Sequence, residues 1–165
     1  MNIEARIRPL DPADDEEVEC VAARMQQTLI EVLGEQEGGQ MYDMPWLLAR
    51  VRWHLDPEQV IGEIFVAEQP EGDIVGHTIV RIDVDDEGAG IGLFSTVFVT
   101  PAARRGGVAG ALIRRGEEWV QGHGLSRAAT YTARNNAPLR RLFIAHGYTL
   151  TPMDEVFVML SKALG

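Results

Sequence analysis

Arg104-Arg105-Gly106-Gly107-Val108-Ala109-Gly110 sets two guanidinium groups among three glycines, at the point where a helical pattern begins. Residues of these types in this order suit a phosphate. The first N–H groups of a helix have no partner inside it, and the helix dipole leaves partial positive charge there. Glycines lack a Cβ, so an anion can come close to the main chain. Spacing separates the known phosphate turns. G-x-x-x-x-G-K-[ST] is absent because no Lys lies in this region, and G-x-G-x-x-G is absent too. A strand-to-helix turn that needs no ligand draws on the same residue types, so the neighbouring residues must decide.

Those neighbours supply a strand and a helix. Val97, Phe98 and Val99 read as a strand end, closed near Pro101, which cannot donate to a ladder. Ala109, Leu112, Ile113 and Val120 then fall on one helical face. In this setting Arg104 to Ala109 resembles the acyl-CoA signature of the GCN5-related N-acetyltransferases, the GNAT superfamily: Arg or Gln, two residues, Gly, one residue, Gly or Ala. A second stretch, Asn136 to Tyr148 (NAPLRRLFIAHGY), resembles the later signature of the same superfamily. Asn136, the pair Leu142-Phe143 and the pair Gly147-Tyr148 fill its frame.

The resemblance implies a set of contacts. Pantetheine would enter between strands four and five, bonding main-chain groups at Val97 and Val99. The pyrophosphate would rest on the turn formed by Arg104, Arg105, Gly106, Gly107, Val108, Ala109 and Gly110. Asn136 would contact the pantetheine arm, and the ring of Phe143 would lie near the thioester sulfur. Phe143 is also the main departure, because many members have Tyr there to protonate the leaving thiolate. A phenyl ring cannot donate a proton, but a general acid contributes only about 10²–10⁴-fold. A thiol pKa of about 8.5 also makes the thiolate a tolerable leaving group.

Other residues are candidates for the proton transfers. Tyr131 lies on the predicted fifth strand, five residues before Asn136; it either faces the cleft as acid or packs in the core. Glu63, His77 and Ser95 fall on the central strands. His77 is attractive because an unperturbed imidazole titrates at about 6.5, although a lone strand His also serves structural roles. No His/Cys/Asp grouping has metal-ligand spacing, so no metal is expected.

The elements that must position these residues follow from periodicity. Ile3 to Leu10 alternates as a first strand, and an acidic first turn at Asp14 to Glu17 opens a helix to about Leu33. Gly34 to Gln40 reads as a loop, and Pro45 suits the first turn of a second helix. Met41 to Leu55 shows no clean apolar stripe; most of its aromatics read as core, with Tyr42 and Trp46 the exceptions that could line a pocket. Strands over Val60–Glu68, Ile74–Asp83 and Ile91–Val99 form a meander. A helix from about Gly107 to Gln121, a strand Arg127–Thr132, a helix Pro138–Ala145 and a strand Val156–Leu160 complete the chain. The order β-α-α-β-β-β-α-β-α-β is the GNAT order. It implies an α/β (α+β) fold with a mixed, mostly antiparallel sheet of about six or seven strands, helices on its faces, and splayed parallel strands four and five. No repeat or linker divides residues 1–165, which read as a single domain.

Charge narrows the function classes. The net charge is −10, yet the segment Arg104–Arg141 carries a local balance of +6, leaving −16 on the remainder. So acidic a body argues against a general nucleic-acid binder. A basic segment within it suits one anionic ligand and a cationic second substrate. No apolar run reaches the roughly 18 residues of a membrane span, and the N-terminus lacks a signal-peptide core, so a cytoplasmic protein with no membrane partner is expected. The single cysteine, Cys20, permits no internal disulfide and fits a reducing compartment.

The resemblance therefore implies an N-acyltransferase that uses acetyl-CoA as donor. Its amine acceptor would attack the thioester directly in a ternary complex, without an acyl-enzyme. The acidic body favours a small cationic acceptor, with a protein N-terminus or lysine as the alternative. A GNAT-fold module that binds acyl-CoA to regulate a partner is the competing class. Dimers are common in the superfamily, and a homodimer fits the resemblance.

Overall fold

Local signals set the first helices. In the computed structural model, which describes residues 4–165, strand β1 (Arg6–Pro9) leads into helix α1 (Asp15–Leu33). The Asp14 carboxylate caps α1 by accepting from the N–H groups of Glu16 and Glu17, and Val18, Val21 and Ala22 form its buried face. Ile3, expected to open the first strand, lies outside the described residues. Gly34, with φ of 90°, stops α1 and donates its N–H to the Ile30 carbonyl. Gln40 and its predecessors do not form the expected loop. They belong to a short helix, α2 (Glu35–Met41), which turns back against α1. Gly38 makes this possible, since a Cβ there would overlap the Leu29 carbonyl. Helix α3 (Met44–Leu55) starts from Asp43, whose side chain accepts from Trp46 N–H at 2.9 Å, with Pro45 in the first turn.

The sheet follows. Strands β2 (Gly62–Glu68), β3 (Ile74–Val84) and β4 (Gly90–Val99) form an antiparallel meander. Helix α4 (Val108–Gly122), β5 (Arg127–Ala133), α5 (Ala137–Ala145), β6 (Thr149–Pro152) and β7 (Phe157–Ala163) come after. Among the described residues the strand order is β1-β2-β3-β4-β5-β7-β6, seven strands in which only β4 and β5 run parallel. Strand β6 was not expected from sequence; its four residues, TLTP, carry too little alternation to announce a strand.

Two cores sandwich the sheet. Phe65, Val80, Phe94, Leu112, Ile113, Phe143, Tyr148 and Leu160 fill the side under α4 and α5. Val18, Val21, Leu47, Val51, Ile64 and Ile79 fill the side under α1 and α3. Helix α4 lies close to the sheet because two glycines remove obstacles. A Cβ on Gly116 would strike the Phe94 ring, and one on Gly92 would strike Val120.

One feature of the sheet positions the site. β4 and β5 share only three rungs, Gly92–Ala128, Leu93–Ala129 and Phe94–Thr130, and then part. Ser95 is an extra residue on β4, a bulge where the β3 partner changes from Val80 to Ile79. Such a bulge bends its strand. At the last rung the Thr130 hydroxyl donates to the Phe94 carbonyl at 2.9 Å, closing the ladder where the strands separate. Beyond it, β4 keeps its pairing with β3 and β5 with β7, so the gap between them is a fork lined by main chain.

Candidate acyl-transfer site

Thr100 N–H bonds the Val75 carbonyl at 2.8 Å, and Phe98 and Thr96 lie at the next paired positions against His77 and Ile79. Antiparallel alternation then turns the N–H and C=O groups of Val97 and Val99 away from β3, toward the fork. The Val99 carbonyl accepts from Arg104 Nε at 2.8 Å.

The turn after β4 is shaped by two left-handed residues, Arg105 (φ 65°) and Gly107 (φ 86°). Gly107 is the N-cap of α4 and supplies no side-chain cap. Among the described residues, the N–H groups of Gly106 to Gly110 find no acceptor in the protein, and the first bond is from Ala111 N–H to the Gly107 carbonyl. Gly106, Val108 and Gly110 are buried, whereas Gly107 is exposed at the surface. The residues predicted for the turn divide into roles. Arg104 is committed elsewhere: its Nη2 donates to both oxygens of Glu31 on α1 at 2.9 and 3.0 Å, and its guanidinium lies 5.6 Å from the Phe98 ring centre. Arg105 is exposed at the lip. Gly110 is needed for packing, since the His146 imidazole and the Arg114 guanidinium fill the space of its missing Cβ.

Asn136 caps α5, accepting from Leu139 N–H and donating through Nδ2 to the Thr132 hydroxyl at 3.0 Å. The other α5 residue expected at the site is Phe143. It is fully buried, edge-on to Phe94 and Tyr148 with ring centres 5.6 and 4.9 Å away. An apolar ring in that aromatic cluster has no partner to offer a hydroxyl, which explains Phe rather than Tyr in terms of packing.

The opposite face of the fork belongs to α3, β3, β4 and β5. Tyr131 occupies the first position of β5 past the last shared rung, as Ser95 does on β4. It alternates with the buried Ala128 and so points away from α4, partly exposed. Burial and the carboxylates of Asp86, Asp83 and Asp85 push its phenol above the ordinary value. Arg81, the one charged residue inside the run Ile74–Ile82, is the hub of this face. Its Nη1 donates to Ser95 Oγ at 2.7 Å and to His54 Nε2 at 3.2 Å, and its Nε points to Asp83 at 3.4 Å. His54 Nδ1 lies 3.0 Å from the Arg50 carbonyl, which can only accept, so Nδ1 carries the proton and Nε2 receives Arg81. Burial, with the two arginines, holds His54 near a pKa of about 4, neutral throughout the physiological range.

Neither of the other proton-transfer candidates reaches the fork. His77 is enclosed on the α1 side, bonded to Thr96 Oγ1 at 3.0 Å and stacked on Phe98, and burial drives its pKa down to about 3. A base cut off from solvent cannot relay protons there. Glu63 alternates with Ile64 and so faces α4, near Arg115 and His123, with burial raising its pKa. Tyr42 and Trp46 are exposed and stacked, with ring centres 4.0 Å apart. Sequence reasoning passed over Arg81, His54 and Arg50; a lone arginine in an otherwise apolar central strand was the readable signal. Among the described residues, no His/Cys/Asp/Glu cluster could hold a metal and no helix is long and apolar enough to cross a membrane.

A family model described as the acetyltransferase (GNAT) family matches residues 23–148. The chain belongs to the GNAT acetyltransferase family. One curated relative, an aminoglycoside N(6')-acetyltransferase type 1 from Klebsiella aerogenes, is 28% identical over 89 residues, which is 52% of this chain and 59% of that protein. The GNAT fold is matched in solved structures. The PaiA N-acetyltransferase of Thermoplasma acidophilum, in complex with coenzyme A, superposes with a TM-score of 0.76 at 13% identity, covering 98% of this chain and 99% of that one. The putative acetyltransferase YncA of Salmonella typhimurium, with its cofactor acetyl-CoA, gives 0.72 at 16% identity over 98% and 95%. The expected sheet, with its parted parallel pair, is the GNAT sheet.

Proposed function

We propose that the chain transfers an acetyl group from acetyl-CoA to the primary amine of a small molecule, by direct attack in a ternary complex. The observation that carries this reading is the fork between β4 and β5, which runs into the uncapped first turn of α4. Val97 and Val99 offer main-chain groups to an extended pantetheine arm. The free N–H groups from Gly106 to Ala109 receive the pyrophosphate, with Arg105 at the lip. Arg104 positions this turn through Val99 and Glu31 rather than meeting the phosphate. Asn136 and Phe143 support the arm's wall from α5. Two structural neighbours are described with coenzyme A or acetyl-CoA, which supports the same donor here.

The chemistry needs a neutral amine nitrogen, formation of the C–N bond, loss of the C–S bond, and a proton for the departing thiolate. Tyr131 is the donor of that proton. Its raised pKa keeps the phenol protonated near neutrality, and its place on β5 puts it at the start of the fork. The same aspartates make a phenolate unfavourable, so the proton lost by the nitrogen returns to it. Asp83, Asp85 and Asp86 also draw the acceptor in as an ammonium ion, which gives its extra proton to solvent before the neutral amine attacks, in keeping with the acidic body of the chain and with a relative named for acetylating aminoglycosides. A regulatory module would share the donor half of the site; the polar face around Arg81 and Tyr131 favours transfer.

Calorimetric titration with acetyl-CoA, repeated with dephospho-CoA and with Arg105→Glu, tests the donor assignment. Micromolar binding, weakened about tenfold by the reversed charge, is expected. Failure of every CoA derivative to bind would overturn it. Thiol release from acetyl-CoA with a panel of primary amines tests transfer.

A further inference from the structure

The acceptor face carries two guanidinium groups that do not neutralise each other. Arg50, half-buried on α3, lies with its guanidinium carbon 4.1 Å from the centre of the Trp53 ring, and that of Arg81 lies 5.8 Å from the same centre. Among the described residues, the Arg50 guanidinium has no hydrogen bond and no ion pair. Burial lowers its pKa, and the charge of Arg81 adds to the effect. Arg81 spends Nη1 on Ser95 and His54 and Nε on Asp83, which leaves Nη2 free. The other charged groups of α3 do not help. Asp43 caps its own helix, and Arg52 is paired with Asp15. Two cations on one half-dry aromatic platform repel each other, and an anion between them relieves that repulsion.

The same face is negative a short way off, where the carboxylates of Asp86, Asp83 and Asp85 act on the Tyr131 phenol and outweigh Arg127. Asp83 and Asp85 are paired with Arg81 and Arg127, which leaves Asp86 for an ammonium group. One end of the site therefore suits an ammonium group and the other suits an anion. We infer that the acceptor is an amino-acid-type molecule, whose carboxylate is read by Arg50 and Arg81 beside Trp53 while its amine lies toward Tyr131. Planar guanidinium groups match a carboxylate bidentately, and Trp53 holds Arg50 in place beneath it. This inference rests on the transfer reading above and narrows it. The net acidity of the chain then attracts the amine without selecting a polycation.

Binding to CoA-saturated protein tests it without relying on turnover. The twenty amino acids are titrated against their methyl esters and against the amines that lack the carboxyl carbon. The preferred acid should bind about tenfold or more tightly than its ester. Arg50→Gln should erase most of that difference, whereas Arg52→Gln on the same helix should preserve it. Acetyl-CoA affinity and Tm should hold in both variants. Equal binding of acid and ester, preference for a polyamine, or an equal loss for acid and ester in Arg50→Gln would overturn the inference. Transfer to polyamines alone would overturn it while leaving the acetyltransferase reading standing. Acid-selective binding without thiol release would do the reverse.

Discussion

The proposed donor edge and the proposed acceptor face meet at one fork but are made of different material. On the donor edge the working groups are main-chain: the free N–H groups after Arg105 and the outward groups of Val97 and Val99. Their geometry depends on local conformation, chiefly on Gly107 in the left-handed region. On the acceptor face the working groups are side chains drawn from α3, β3, β4 and β5, held by a chain of bonds from the Arg50 carbonyl through His54 and Arg81 to Ser95. A ligand read by backbone constrains the sequence within a few residues. A ligand read by side chains spreads its requirements over the whole fold. On the proposed reading, the difference teaches that one sheet can hold the common substrate of a family and its variable substrate without sharing a residue.

Three experiments would break or sharpen this contrast. Tyr131→Phe carries the largest expected effect, a fall in kcat of about 10²–10⁴-fold in thiol release. Acetyl-CoA affinity, measured by titration, should stay unchanged, because the phenol lies on the acceptor face. An equal fall in donor affinity would erase the division between the two regions.

Acidification comes next. His54 and His77 are neutral in the fold with pKa values of about 4 and about 3, below the ordinary value of about 6.5. Between those limits the unfolded chain takes up protons that the native chain refuses, so stability falls as pH drops from about 6.5 and is retained above it. Each histidine should contribute a loss on the order of 2 kcal/mol between pH 6.5 and 5, read as a lower midpoint in urea. His77→Gln should flatten that dependence. In the native protein, acceptor binding should weaken before donor binding as pH approaches 4, because a charged His54 would face Arg81.

The smallest effect is expected from Gly107→Val. A branched side chain in the left-handed region is strained by about 1–3 kcal/mol. Transmitted to the turn, this should weaken acetyl-CoA binding by about 10–100-fold. Acceptor-side properties, such as the tyrosine titration followed by ultraviolet absorbance, should hold.

The strand-turn-helix around Arg104–Gly110 was legible because its requirements are local: a strand, a glycine for a left-handed turn, and a helix start. Hydrophobic periodicity likewise exposed most of the strands and the helices α1 and α4, while Pro45 marked the start of α3. Short elements were not legible. Glu35–Met41 contains two adjacent glycines and forms a helix only because Gly38 packs on α1, while β6 gains its strand character from pairing with β7. The surroundings of Phe143 were not legible either, since only the fold brings Phe94 and Tyr148 against it.

By itself, then, the sequence determined the family fold, a strand-turn-helix with an uncapped helix start, and an acidic body with one basic segment. The tertiary structure decided which side of the sheet each candidate occupies. Strand alternation fixes that side only once the neighbours are known, and it sent Glu63 to α4, enclosed His77, and left Tyr131 at the fork. It also joined Arg50, His54, Arg81 and Ser95, which are separated by as many as 45 positions in the chain. No periodicity or spacing could have announced that group, because charge and hydrogen-bond complementarity act through space.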